Sequence, residues 1–74
     1  MENRETLKQL VNKGILTRED VAYIRCTDYI KENDKQLGRN DIPRIAYIIG
    51  NDWNLTKEQI DQLTSYCITI YLNL

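Results

Sequence analysis

The chain has 74 residues, ten Lys plus Arg against eleven Asp plus Glu, no histidine and a formal net charge of −1. That length allows one small domain, and without histidine the usual general base at neutral pH and the commonest metal ligand are both missing. The near-neutral balance gives no electrostatic footprint for wrapping nucleic acid or an anionic membrane, and no apolar run approaches the roughly 18 residues of a membrane span. Met1–Glu5 has none of a signal peptide's apolar stretch, so the expectation is a soluble, cytoplasmic domain.

Four helices are expected, near residues 3–13, 17–32, 41–50 and 56–72. In the first, Leu7, Leu10 and Val11 form an i, i+3, i+4 stripe, and Gly14 follows as a left-handed C-cap. In the second, Thr17 caps the start with Asp20 as the acid of a capping box, although Glu or Gln would be the better partner. Its apolar face is Ala22, Cys26, Tyr29 and Ile30. The polar stretch from Asn33 to Asn40, with Gly38 near its middle, reads as a mobile loop. Asp41 is expected to cap the third helix, which tolerates Pro43 in its first turn, buries Ile42, Ile45, Ala46 and Ile49, and stops at Gly50. Thr56 and Gln59 make a second capping box for the fourth.

The end of the chain supports two readings. Ile68, Ile70, Leu72 and Leu74 alternate with polar or amphipathic residues, as in a strand, while Ile60, Leu63, Cys67, Ile70 and Leu74 form a helical seam. Helix is preferred, because a lone C-terminal strand has no evident partner. A shift of 39 residues lays Leu16–Val21 over Leu55–Ile60, which fits either a duplicated αα-hairpin or two similarly capped helices. Both give the same expectation: an all-α, single small four-helix domain of two αα-hairpins.

Chemistry-bearing patterns are sparse. Cys26 and Cys67 fall on apolar faces, as buried free thiols do in a reducing compartment, and do not form a CxxC pair. Asp28 and Glu32 stand one turn apart beside Arg25 and Lys31, the pattern of a solvated helix surface. No phosphate loop, metal-ligand set or nucleophile–base pair is present, so neither an enzyme nor a cofactor is expected. Ala46 and Gly50 have the small-residue and turn-glycine spacing of a helix-turn-helix, which makes a DNA-binding regulator the alternative function. Against it, the putative recognition helix offers Lys57 beside Glu58 and Asp61, and a DNA reader needs cations around its base contacts.

Second apolar faces are more telling. Val21 and Ile24 on the second helix, Tyr47 and Ile48 on the third, and Ile68 and Leu72 on the fourth, with Tyr66 on a further side, lie off the expected core stripes. Three such faces fit either a four-helix core in which they are internal or, the preferred reading, self-association or partner binding, with Ile68 and Leu72, i and i+4, as the expected homodimer interface.

With ten Ile, seven Asn, ten Lys plus Arg and one Pro in so short a chain, the sequence resembles the Twort-type staphylococcal phage inhibitors of the DNA polymerase sliding clamp. The resemblance is one of length and overall character across the whole chain. It implies a phage protein acting in the host cytoplasm, as a dimer that fills the clamp's DNA channel and prevents loading. The pieces Gln9-Leu10, Gln36-Leu37 and Gln62-Leu63 lack the trailing apolar pair of clamp-binding peptides, so docking in the peptide pocket is not what the resemblance implies. A DNA-occupied channel is basic, so acids would make the contacts. Glu2, Glu5, Glu19, Asp20, Asp41, Glu32, Asp34 and Asp52 are available. Glu19 and Asp20 also suit a helix N-terminus, which leaves Glu32, Asp34 and Asp52 as the expected partner-binding residues.

Overall fold

A computed structural model describes residues 4–74, with side chains from Thr6 onward. The elements run α1 (Arg4–Asn12), α2 (Arg18–Asn33), a 3-10 turn (Arg39–Asp41), α3 (Ile42–Asp52) and α4 (Lys57–Leu72). The fold is all-α, two αα-hairpins in sequence, and no strand occurs among the described residues. α4 runs unbroken through the alternating segment. Ile60, Leu63 and Cys67 of its helical seam are buried, while Leu74, beyond the helix, is exposed.

Both hairpins are built from one piece of backbone chemistry used twice. α1 closes with the Ile15 N–H donating to the Leu10 carbonyl and the Gly14 N–H to that of Val11, with Gly14 at φ +76°. α3 closes the same way, Leu55 donating to Gly50 and Asn54 to Asn51, with Asn54 at φ +58°. These are Schellman closures, and Gly and Asn are the two residues that tolerate the left-handed position best. The next helices then open with reciprocal capping boxes. Thr17 Oγ1 accepts from the Asp20 N–H at 3.1 Å while the Asp20 carboxylate accepts from the Thr17 N–H at 3.0 Å. Thr56 and Gln59 repeat it at 3.2 and 2.8 Å. Asp20 therefore closes its box despite its shorter side chain. Leu16 packs against the cluster that holds Val21, and Leu55 shares the larger cluster with Ile60, so each box has apolar residues at the two positions of a hydrophobic staple.

Packing separates the chain into two clusters. The larger joins α2, α3 and α4 through Ala22, Cys26, Ile30, Ile42, Ile45, Ala46, Leu55, Ile60, Leu63 and Cys67. The smaller holds α1 down through Leu7, Val21 and Trp53, and Ile49 touches both.

Four local expectations are corrected. α3 does not stop at Gly50 but continues to Asp52, and Gly50 is buried within it, where an added Cβ would lie 2.6 Å from Ile60 Cγ1. The glycine is there for close helix approach. Asp41 makes no side-chain cap to α3; its carboxylate accepts from the Gly38 N–H at 2.8 Å and closes the preceding 3-10 turn. The stretch from Asn33 to Asn40, read as a mobile loop, is anchored. Leu37 packs against the larger cluster, and its carbonyl accepts from the Tyr71 hydroxyl at 2.8 Å. Val21 is fully buried and Ile24 packs beside it, so the second face of α2 is covered by α1 and Trp53 rather than by a partner.

Candidate functional site

The molecule measures 35 × 28 × 17 Å. Packing as flat as this leaves helix faces uncovered. Tyr47 and Ile48 on α3, Tyr66 and Leu72 on α4, and Tyr29 on α2 are the consequence, each more than two-fifths exposed. Tyr29, expected in the core, falls on the flank because the stripe Ala22, Cys26 and Ile30, spaced by four, fills the contact with α3 and α4.

One uncovered region is concave. α2 and α3 wall a groove of about 600 Å³. From α2 come Arg25, Asp28, Tyr29 and Glu32, which are i, i+3, i+4 and i+7 on one face. From α3 come Ile45, Ile48, Ile49 and Asp52 at the same spacing, together with Asn51. The floor is apolar and graded: Ile45 is buried, Ile49 half-buried and Ile48 59% exposed. The rim carries three carboxylates, Asp28, Glu32 and Asp52, against the single guanidinium of Arg25. A second, smaller depression of about 200 Å³, beside Trp53, is walled by Lys8 and Arg18 together with Asp52 and polar residues, and has no comparable apolar floor.

The expected partner-binding acids are thus divided. Glu32 and Asp52 both line the α2/α3 groove, although 20 residues separate them in sequence. Asp34 is exposed at the C-terminal end of α2 and does not line the groove. Asp28, set aside as surface on the sequence, joins them. Its i, i+4 relation to Glu32 was visible, but nothing in the sequence placed α3's isoleucines opposite. Glu19, Asp20 and Asp41 have structural work. Asp20 and Asp41 cap, and Glu19 Oε1 accepts from Gln59 Nε2 at 2.7 Å, tying the starts of α2 and α4 together. Glu2 and the side chain of Glu5 lie outside the described residues.

The expected dimer pair also splits. Ile68 is half-buried against the chain's own larger cluster, whereas Leu72 is 60% exposed near Leu74 at 55%.

The two thiols are free and buried. Interaction with the Cys67 thiol, and then burial, pushes the Cys26 thiol far above its ordinary range, while the same interaction holds the Cys67 thiol below it against the effect of burial. Among the described residues no three His, Cys, Asp or Glu side chains gather into a metal site, and no helix is long and apolar enough to cross a membrane. No protein-family model, curated protein or solved structure matches the chain.

Proposed function

We propose that this chain is a non-enzymatic phage-type inhibitor that binds a host protein in the cytoplasm. Its proposed target is the DNA polymerase sliding clamp, where it occupies the DNA channel and blocks loading and replication. The observation that carries protein binding is the α2/α3 groove, where an isoleucine floor meets three carboxylates and one guanidinium. An apolar floor with a rim of one dominant sign suits a protein surface of the opposite sign, and it suits DNA poorly, since phosphates would face carboxylates. A ring that slides on DNA offers a basic inner wall. Self-association is part of the proposal: Leu72, with Ile68 beneath it, would meet a symmetry mate, and a dimer presents the acidic rim twice.

Binding to purified bacterial clamp tests this reading. Complex formation is expected at low salt and should weaken as salt rises, because exposed charges more than about 8–10 Å apart are screened under physiological conditions. Glu32→Lys and Asp52→Lys should slow association, whereas Asp34→Lys, outside the groove, should do so less. Absence of a complex at low salt rejects the clamp as target. Tight binding indifferent to salt and to both groove substitutions keeps the target and rejects charge-led occupation of its channel.

A further inference from the structure

We infer that the α2/α3 groove is a receptor for a basic amphipathic helix about two turns long, supplied by the partner protein. This rests on the reading of the chain as a protein-binding domain and adds the shape and chemistry of what is bound. Three observations fix the occupant. First, both walls are helices presenting i, i+3, i+4, i+7 ridges, Arg25 to Glu32 on α2 and Ile45 to Asp52 on α3. Two ridged helices side by side leave a furrow that a third helix fills, whereas binding by strand addition needs a sheet edge, and no strand exists among the described residues. Second, the wall from residue 25 to residue 32 rises about 10 Å at 1.5 Å per residue, which is room for two turns of guest helix. Third, Ile48 of the floor and Tyr29 of the α2 wall are exposed, and the rim carries the carboxylates of Asp28 and Glu32 beside the one guanidinium of Arg25. The guest therefore needs apolar residues on one stripe and Lys or Arg beside it.

A second copy of this chain fits worse. α4 has one cation, Lys57, at its first residue, far from its exposed Leu72. α1 has Lys8 beside an apolar stripe, but Leu7 of that stripe is 1% exposed, committed to Val21 and Trp53. An external helix is the occupant the chemistry selects.

The probe is a fluorescein-labelled model peptide of Leu and Lys, helical, with Leu on one stripe; its control carries Glu at every Lys position. Fluorescence anisotropy at low salt should show the Lys peptide binding at least about tenfold more tightly than the Glu peptide, the discrimination expected of a one-sign rim. Amide shifts in a 1H–15N spectrum should fall on residues 25–32 and 45–52. Ile48→Asp, and separately the double variant Asp28→Lys, Glu32→Lys, should each cost about tenfold or more, while Glu58→Lys, exposed on α4 and outside the groove, stays within about twofold. Because Ile48, Asp28 and Glu32 are exposed, the variants should keep the wild-type circular dichroism spectrum. Equal binding of the two peptides, no binding of either, or shifts mapping elsewhere overturns the proposal. So does a self-associated chain whose dimer interface covers the groove and is not competed by the peptide. If the clamp binds while the Lys peptide does not, the helix receptor falls and the protein-binding reading stands; if the peptide binds and the clamp does not, the target falls and the groove stands.

Discussion

The two hairpins share their punctuation and differ in what lies behind it. Each first helix ends in a Schellman closure, at Gly14 or at Asn54, and each second helix begins with a threonine capping box preceded by a leucine. Yet α3 and α4 are fused into one core, while α1 is held on its hairpin by a three-residue cluster whose largest member, Trp53, comes from the other hairpin. The difference lies in residue size at the contact. α3 places Ala46 and Gly50 toward its neighbours, so its backbone approaches α4 closely enough for Ile60 to sit against the Gly50 Cα. α1 offers Leu7 as its fully buried anchor, with Val11 packing alongside. Turn chemistry thus decides where the chain reverses, and the size of facing side chains decides how firmly the two arms are joined.

That contrast predicts different failures for the two clusters. Leu63→Ala removes a fully buried side chain shared by the joined helices, and large-to-small changes at such sites cost about 2–5 kcal/mol. Out of a total stability of about 5–15 kcal/mol, that should move the whole urea transition, read by circular dichroism. Leu7→Ala is equally buried but acts on one arm. Its expected signature is loss of amide protection in α1 alone, with the unfolding free energy of α2 to α4 lowered by less than about 1 kcal/mol. A global shift as large as that of Leu63→Ala would show that the hairpins are one cooperative unit.

Between these two in size stands the joint itself. Gly50→Ala adds a Cβ 2.6 Å from Ile60 Cγ1, so overpacking of about 1–3 kcal/mol should outweigh the helix-propensity gain of about 1 kcal/mol. In an Ile60→Ala background the clash disappears, and the same substitution should become neutral or stabilising. A double-mutant cycle built from thermal or urea unfolding measures the coupling, and additivity of the two changes would reject close approach as the reason for the glycine.

How legible this was in the sequence follows from the range of the signals. Capping boxes, the Gly14 closure and the apolar stripes act within about four residues, so the sequence reading placed the helices to within about two residues. Gly50 misled it because a glycine near a helix end reads as a stop, and its use for packing depends on Ile60, ten residues on. Leu37 was invisible as an anchor because its partner is the Tyr71 hydroxyl, 34 residues away. The groove was half legible. Glu32 and Asp52 stood out as acids without a helix-start role, but the isoleucine floor between them exists only once α3 lies against α2. Ile68, chosen for its spacing from Leu72, turned partly inward for the same reason: periodicity gives a side chain's direction, not how far the neighbouring helix extends over it.

The smallest expected effect sits on the seam where the hairpins meet. Tyr23 of α2 and Tyr66 of α4 face each other with ring centroids 4.6 Å apart and planes inclined at 58°. Partial burial raises the Tyr23 hydroxyl above its ordinary value of 10.0, and the nearby carboxylate of Glu19 adds to the rise, followed by Cys67, Tyr66 and Asp20. The folded protein therefore holds this proton more tightly than the unfolded chain does. Its stabilising contribution is fully present below pH 10, where both states are neutral, and is lost as pH rises through the folded value and Tyr23 ionises in place. Tyr23→Phe keeps the ring contact and removes the titration. Wild type and variant should have similar urea midpoints at pH 8, and above pH 10 the wild type should lose stability more steeply. The 295 nm tyrosinate absorbance should show the variant lacking a component that titrates above the ordinary tyrosine value. Glu19→Gln, which removes the largest charge contribution, should bring that component down toward pH 10 while weakening the link between the starts of α2 and α4. Parallel stability curves for wild type and Tyr23→Phe between pH 9 and 11 would mean that the seam is as open to solvent as the faces around it, and that the two hairpins meet there through ring contact alone.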